Sequence, residues 1–131
     1  MKWYIASRIK HKDLVKKTIS DLIKSGEEIS YDWTKIGSLK PYRENSKESS
    51  IIAKEVSEAM KDTDIFVLIS DEAGTDMFVE LGIAIGCWLT RKDMRIYVVG
   101  ECNDRSLMHF HPSISRVDNL NDVFKNENIN I

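Results

Sequence analysis

The chain has 131 residues, enough for one domain that buries roughly two-thirds of the surface its unfolded form exposes. Hydrophobic residues at 42% and charged residues at 31% argue against a disordered chain. Nineteen basic against 21 acidic residues leave a net charge of −2, which supplies neither the basic face that nucleic-acid polymers require nor a polybasic membrane contact.

No apolar run reaches the roughly 18 residues of a membrane span. Met1-Lys2-Trp3 leads directly into a strand-like segment, so no signal peptide is expected and a cytoplasmic location is the default. Cys87 and Cys102 lack CxxC spacing and read as buried structural thiols rather than zinc ligands. His109 and His111 flank Phe110, but no thiol or carboxylate lies close by in sequence, and loop packing is the better reading of that pair than metal binding.

Trp3 to Ala6 reads as a short first strand. Residues 12–24 carry Leu14, Val15, Thr18, Ile19, Leu22 and Ile23 at helical spacing, with Gly26 as the stop. Glu28 to Trp33 is rich in β-formers and predicts a second strand. Thr34 to Ser46 is a long polar loop, of the kind that is often a binding loop. Residues 47–61 predict a second helix with Ile51, Ile52, Val56, Ala59 and Met60 inward. Asp64 to Ile69 is a continuous apolar run, as expected of a strand covered on both faces. Asp76 to Leu89 predicts a third helix, Arg95 to Val99 a fourth strand and Gly100 to Pro112 a loop. Ile114 to Val117 is a short edge strand, Asn121 to Phe124 opens a small terminal helix, and Lys125 to Ile131 is a polar tail expected to fray.

Strands separated by helices imply βαβ units, a parallel sheet and helices on both faces. The loops at the strand carboxyl ends then gather on one edge, where open α/β sheets bind ligands. Those loops hold Ser7-Arg8, Asp32-Trp33, Asp71 to Thr75 and Gly100 to Asn103. Carboxylates, hydroxyls, a guanidinium, an indole and a glycine turn suit a sugar bearing an aromatic base.

Glu80 is the first candidate for chemistry. It follows Asp76 by four residues, inside the apolar stretch Phe78, Val79, Leu81, Ile83. Partial burial would raise its pKa and strip its hydration, as a nucleophile or general base requires; the alternative is a solvated helix carboxylate. Gly74-Thr75 can offer free N–H groups to a phosphate or hydroxyl, or simply form a capped turn. Arg8 can grip phosphate as a bidentate fork, or lie on the surface. Trp33 either stacks on a base or packs under the long loop.

The run Asp64-Ile65-Phe66-Val67-Leu68-Ile69, with Gly74-Thr75 and Val79-Glu80-Leu81-Gly82-Ile83-Ala84 after it, resembles the nucleoside 2-deoxyribosyltransferase superfamily, which includes nucleoside monophosphate N-glycoside hydrolases. Tyr4-Ile5-Ala6-Ser7, Tyr31-Asp32-Trp33 and the Leu107 to Pro112 loop support the resemblance, which spans most of the chain. It implies a flavodoxin-like three-layer α/β sandwich with a five-stranded, mainly parallel sheet in a single domain over residues 1–131. It also implies that Glu80 attacks the anomeric carbon to form a covalent glycosyl-enzyme, as in retaining glycosidases. Asp71, Gly74 and Thr75 would line the sugar pocket, Ser7 and Arg8 would hold the 5′ end, and Tyr4 would lie beside the site. A nucleoside or nucleotide substrate, no cofactor or metal, and a homo-oligomer, dimer or higher, are implied as well. One position departs from the family: an aspartate often stands eight residues before Asp64, where this chain has Val56. That leaves the general acid open between Asp71 and Asp32, and keeps a nucleotide-binding sensor or sponge without turnover as the alternative.

Overall fold

A five-stranded sheet forms the middle layer of the computed structural model, which describes residues 1–131. Its strands are β1 (Lys2–Ala6), β2 (Glu28–Ile29), β3 (Ile65–Ile69), β4 (Arg95–Val99) and β5 (Ile114–Val117). They run in the order β2-β1-β3-β4-β5, every pair parallel. The helices are α1 (Lys12–Lys24), α2 (Ser46–Ala59), α3 (Asp76–Thr90) and α4 (Leu120–Asn126). This is the flavodoxin-like three-layer sandwich with helices on both faces.

The alternation of side chains along the strands builds two separate cores. Trp3, Ile5, Val67, Ile69, Tyr97 and Val99 face Val15, Ile19 and Leu22 of α1 and Val123 and Phe124 of α4. Tyr4, Ala6, Phe66, Leu68, Ile96 and Val98 face Met77, Leu81, Ala84 and Ile85 of α3. All five residues of β3 are buried. Each such side chain stabilises the fold by about 1.5–3 kcal/mol relative to exposure, which makes β3 the keystone of both cores.

Four expectations need correction. The second strand is only two residues long, because Asp32 accepts from the Thr34 N–H at 3.0 Å and from the Thr34 hydroxyl at 2.5 Å, and so caps a 3-10 turn over Trp33–Lys35. That local bond competes with the sheet ladder and ends it. The second helix stops at Ala59, followed by a 3-10 turn over Met60–Asp62; it buries none of its own side chains, and Ile51 is 50% exposed. The tail is held: Glu127 is buried, takes Arg95 at 2.6 Å and accepts from the Tyr97 hydroxyl at 2.5 Å. Cys87 and Cys102 are free thiols only half buried. No helix is long and apolar enough to cross a membrane.

Candidate active site

The strand order fixes where a ligand can sit. From β1 the chain crosses to β2 on one side and later returns to β3 on the other, so the crevice opens above the carboxyl ends of β1 and β3. In register, Ala6 ends β1 opposite Leu68, and the loops Ser7-Arg8 and Ser70-Asp71 leave side by side. The helices α2 and α3 follow the strands on either side of this point and flank the crevice.

Glu80 lies on α3 above β1, half-buried, and accepts a short hydrogen bond from the Tyr4 hydroxyl, 76 positions away in sequence. Tyr4 is itself buried and stacks on Phe66, with ring centroids 5.7 Å apart and planes within 3°. Burial pushes the Glu80 carboxyl up from the ordinary 4.5 to about 7; the Tyr4 hydrogen bond works against this and the Asp76 charge adds to it. The Tyr4 phenol is raised well above its usual range, first by burial and then by the Glu80 charge, so it remains a donor. A carboxyl with so little hydration, kept in line by one phenol, has the environment that a nucleophile or a general base requires.

Asp71 takes a different place. It is buried at the edge of the sheet and surrounded by basic side chains: His11 Nε2 at 3.0 Å, Arg8 Nη1 at 3.3 Å and Lys10 Nζ at 3.7 Å. The Ala73 N–H also donates to it. The His11 hydrogen bond first, then the Ala73 amide and the Lys10 and Arg8 charges, hold its carboxyl far below the usual range. An anion held this firmly is unsuited to giving up a proton and well suited to fixing three basic side chains at the crevice.

Gly74 makes that arrangement possible. Its φ is +122°, and a Cβ there would lie 2.7 Å from Met77 Cε and 3.2 Å from Arg8 Cγ. Only glycine lets Arg8 and Met77 close over the turn. Thr75 starts α3 with no side-chain cap, so its hydroxyl and the first helical N–H groups stay uncommitted. The Ser7 hydroxyl donates to the Arg8 carbonyl at 2.8 Å and shapes the loop.

Asp32 and Trp33 are occupied elsewhere. Asp32 caps its own turn, and the Trp33 indole donates to the Ile5 carbonyl at 2.7 Å while its ring packs against both cores. The Trp33 ring is thus engaged in packing against the sheet's two cores. His109 is fully buried between the Ser70 hydroxyl at 3.0 Å and the Ser106 hydroxyl at 2.7 Å, while His111 turns to Ser113. The two histidines thus face different partners, and no cluster of three or more His, Cys, Asp or Glu converges that could hold a metal ion.

Two cavities flank this crevice without reaching Glu80. One of about 370 Å³ runs along the far side of α3, past Phe78, Gly82, Arg105 and Met108. The other, of about 520 Å³, lies on the α1 side of Asp71, past His11, Gly100, Cys102 and Asn119. The chemistry is concentrated between them.

Several residues here were not singled out from the sequence. Lys10 and His11 sit at a helix start, 60 or more positions from Asp71, and nothing local marks them as its partners. Tyr31 donates to Glu55 Oε2 at 3.1 Å, and burial, with Asp76 close by, holds the Tyr42 phenol above its usual range. Asp76 alone carried a signal, its spacing of four from Glu80.

No protein-family model matches the sequence, and no curated protein does. Among solved structures, the Clostridium botulinum CMP N-glycosidase BcmB superposes with a TM-score of 0.63 over 97% of this chain and 96% of that one, at 14% identity. The chain therefore shares, nearly end to end, the flavodoxin-like fold of a CMP N-glycosidase.

Proposed function

We propose that this protein cleaves the N-glycosidic bond of a nucleoside or its 5′-monophosphate, with Glu80 as nucleophile. The observation that carries this reading is the poorly hydrated Glu80 carboxylate, aligned by Tyr4 above the β1–β3 crevice. The end-to-end fold likeness to a CMP N-glycosidase supports it. Glu80 attacks C1′ of the sugar as the base departs, a glycosyl ester forms, and water or a second base then displaces Glu80 with retention. Water as acceptor makes the protein a hydrolase; a second base makes it a transferase.

Arg8 and Lys10 place more positive charge at the loop edge than Asp71 neutralises, which favours a 5′-phosphate over a free hydroxyl. Ser7, Gly74 and Thr75 border the same edge and complete the sugar side. Asp71 sets the cations and thereby the 5′ end. Asp32 and Trp33 support the wall beneath the base. A homo-oligomer fits the exposed apolar face of Val79, Leu107, Met108 and Phe110 beside α3.

The test is incubation with a panel of ribo- and deoxyribonucleosides and their 5′-monophosphates, with free base measured by chromatography. Release by the native protein and its loss in Glu80→Gln support the reading; release undiminished in Glu80→Gln rules out the nucleophile. One observation favours a second reading, nucleotide binding without turnover: Val56 places an apolar side chain on α2 where the resemblance anticipates an acid. Tight binding of a monophosphate with no base released would favour that alternative.

A further inference from the structure

Three phenols around the crevice each face a carboxylate. Tyr4 donates to Glu80, Tyr31 to Glu55, and Tyr42, from the loop before α2, lies toward Asp76. Glycosidic cleavage needs one acid among these groups, because a base leaving as a bare nitrogen anion leaves slowly. Val56 has no proton to give. Asp71 is clamped as an anion by Arg8, Lys10, His11 and the Ala73 amide. Asp32 accepts from both the amide and the hydroxyl of Thr34. Glu55 sits on α2, a different element from Glu80, and is engaged by Tyr31.

Asp76 remains, and its spacing from Glu80 along α3 is right. It is the first residue of α3 and Glu80 the fifth. Residues four apart on a helix share a face, with Cβ atoms about 5–6 Å apart. Retaining glycosidases keep their two carboxyl groups about 5–5.5 Å apart, close enough for attack and protonation at one bond. Asp76 is exposed, so it can exchange protons with water between turnovers.

We propose that Asp76 is the proton donor to the departing base, a role that rests on the reading of Glu80 as nucleophile. In the first step a Glu80 oxygen bonds to C1′ and the C1′–N bond breaks. Its electron pair goes to the base nitrogen, which takes the proton from the Asp76 carboxyl. In the second step water bonds to C1′, the ester to Glu80 breaks, and the water's proton returns to Asp76. The cycle closes with no other reactant.

The Asp76 charge is one of the causes that lift Glu80. The other groups facing the pair are Tyr4 from β1, Tyr31 after β2, Tyr42 from the loop and Glu55 from α2, with Arg8, Lys10 and His11 at the edge.

The experiment compares native protein, Asp76→Asn and Asp76→Glu on two substrates: the monophosphate whose base is released fastest, and an analogue with the same base activated by ring halogenation or N-methylation, which departs without a proton. Asp76→Asn is expected to lose about 10²- to 10⁴-fold on the ordinary substrate and less than about tenfold on the activated one. Asp76→Glu, which keeps an acid, should recover part of the loss. Equal loss on both substrates, or loss below about threefold on the ordinary one, overturns the assignment. Thermal unfolding of each variant separates misfolding from lost acid catalysis, and if Asp76→Asn fails to fold, the comparison is made with Asp76→Ser, which has no acid, and whose unchanged ratio between the two substrates would overturn the assignment too. Native protein that releases no base from any substrate refutes the Glu80 reading and this one together; release abolished in Glu80→Gln yet indifferent to Asp76→Asn refutes this one alone.

Discussion

A carboxylate kept short of water costs the fold stability, and the cost can be measured without any substrate. Glu80 binds its proton more tightly folded, at about 7, than the ordinary 4.5 of an unfolded chain. Between those two pH values the native state therefore holds a proton that the unfolded state has lost, and stability falls as pH rises through the window. At about 1.4 kcal/mol for each tenfold step in acidity the full difference is about 3 kcal/mol, and partial solvent access brings the expectation to about 2–3 kcal/mol. Glu80→Gln keeps an acceptor for the Tyr4 hydroxyl but cannot ionise, so it should escape the loss. Urea unfolding of both proteins at pH 4.5, 6 and 8 is the assay. The variant should match the native protein at the lowest pH and exceed it by about 2–3 kcal/mol at the highest, a large share of the 5–15 kcal/mol typical of a domain. Parallel stability curves across this range would show that Glu80 is well hydrated, and the argument for a primed nucleophile would fail.

Other predictions follow from neighbouring contacts. Tyr4→Phe removes the one hydrogen bond that favours the Glu80 anion, so the pH–rate profile for base release should shift to higher pH, with release near neutrality reduced about tenfold or more. Asp71→Asn removes a carboxylate whose stabilising effect is present above its ordinary pKa and disappears as pH falls below about 4, so acid unfolding followed by circular dichroism should be shallower in the variant. Gly74→Ala strains a positive-φ turn and pushes on Met77 and Arg8; about 1–3 kcal/mol of stability should be lost in thermal unfolding, and the losses from Gly74→Ala and Met77→Ala should be less than additive in the double variant. Glu127→Ala leaves the Tyr97 hydroxyl unpaired and returns the partly exposed Arg95 guanidinium to water, which should cost about 1–3 kcal/mol and raise hydrogen exchange in α4.

Where sequence reading succeeded, local signals agreed with the global fold. The 3.6-residue spacing of Val15, Ile19 and Leu22 marked α1, and the unbroken apolar runs marked β3 and β4. It failed where a distant or competing contact decided. Tyr31-Asp32-Trp33 has the composition of a strand, but the Asx bond from Asp32 to Thr34 turns the chain first. The tail after Lys125 is polar enough to fray, yet Arg95 and Tyr97, about 30 positions upstream, catch Glu127. At the site, Glu80 was visible as a charge among apolar neighbours. Its partner Tyr4 and the cations around Asp71 were brought close only by parallel strand pairing, which leaves no local mark. Asp71 looked like a free acid because its three basic partners lie on the first loop and the start of α1.

The helix α2 contributes no fully buried side chain. Ile51 lies on its exposed face and Ile52 is only half-buried, so both can vary at little expense to the sheet, whereas Val56 packs against the α3-side core. On the proposed function, that loose attachment makes α2 a segment through which substrate preference can drift at small thermodynamic risk.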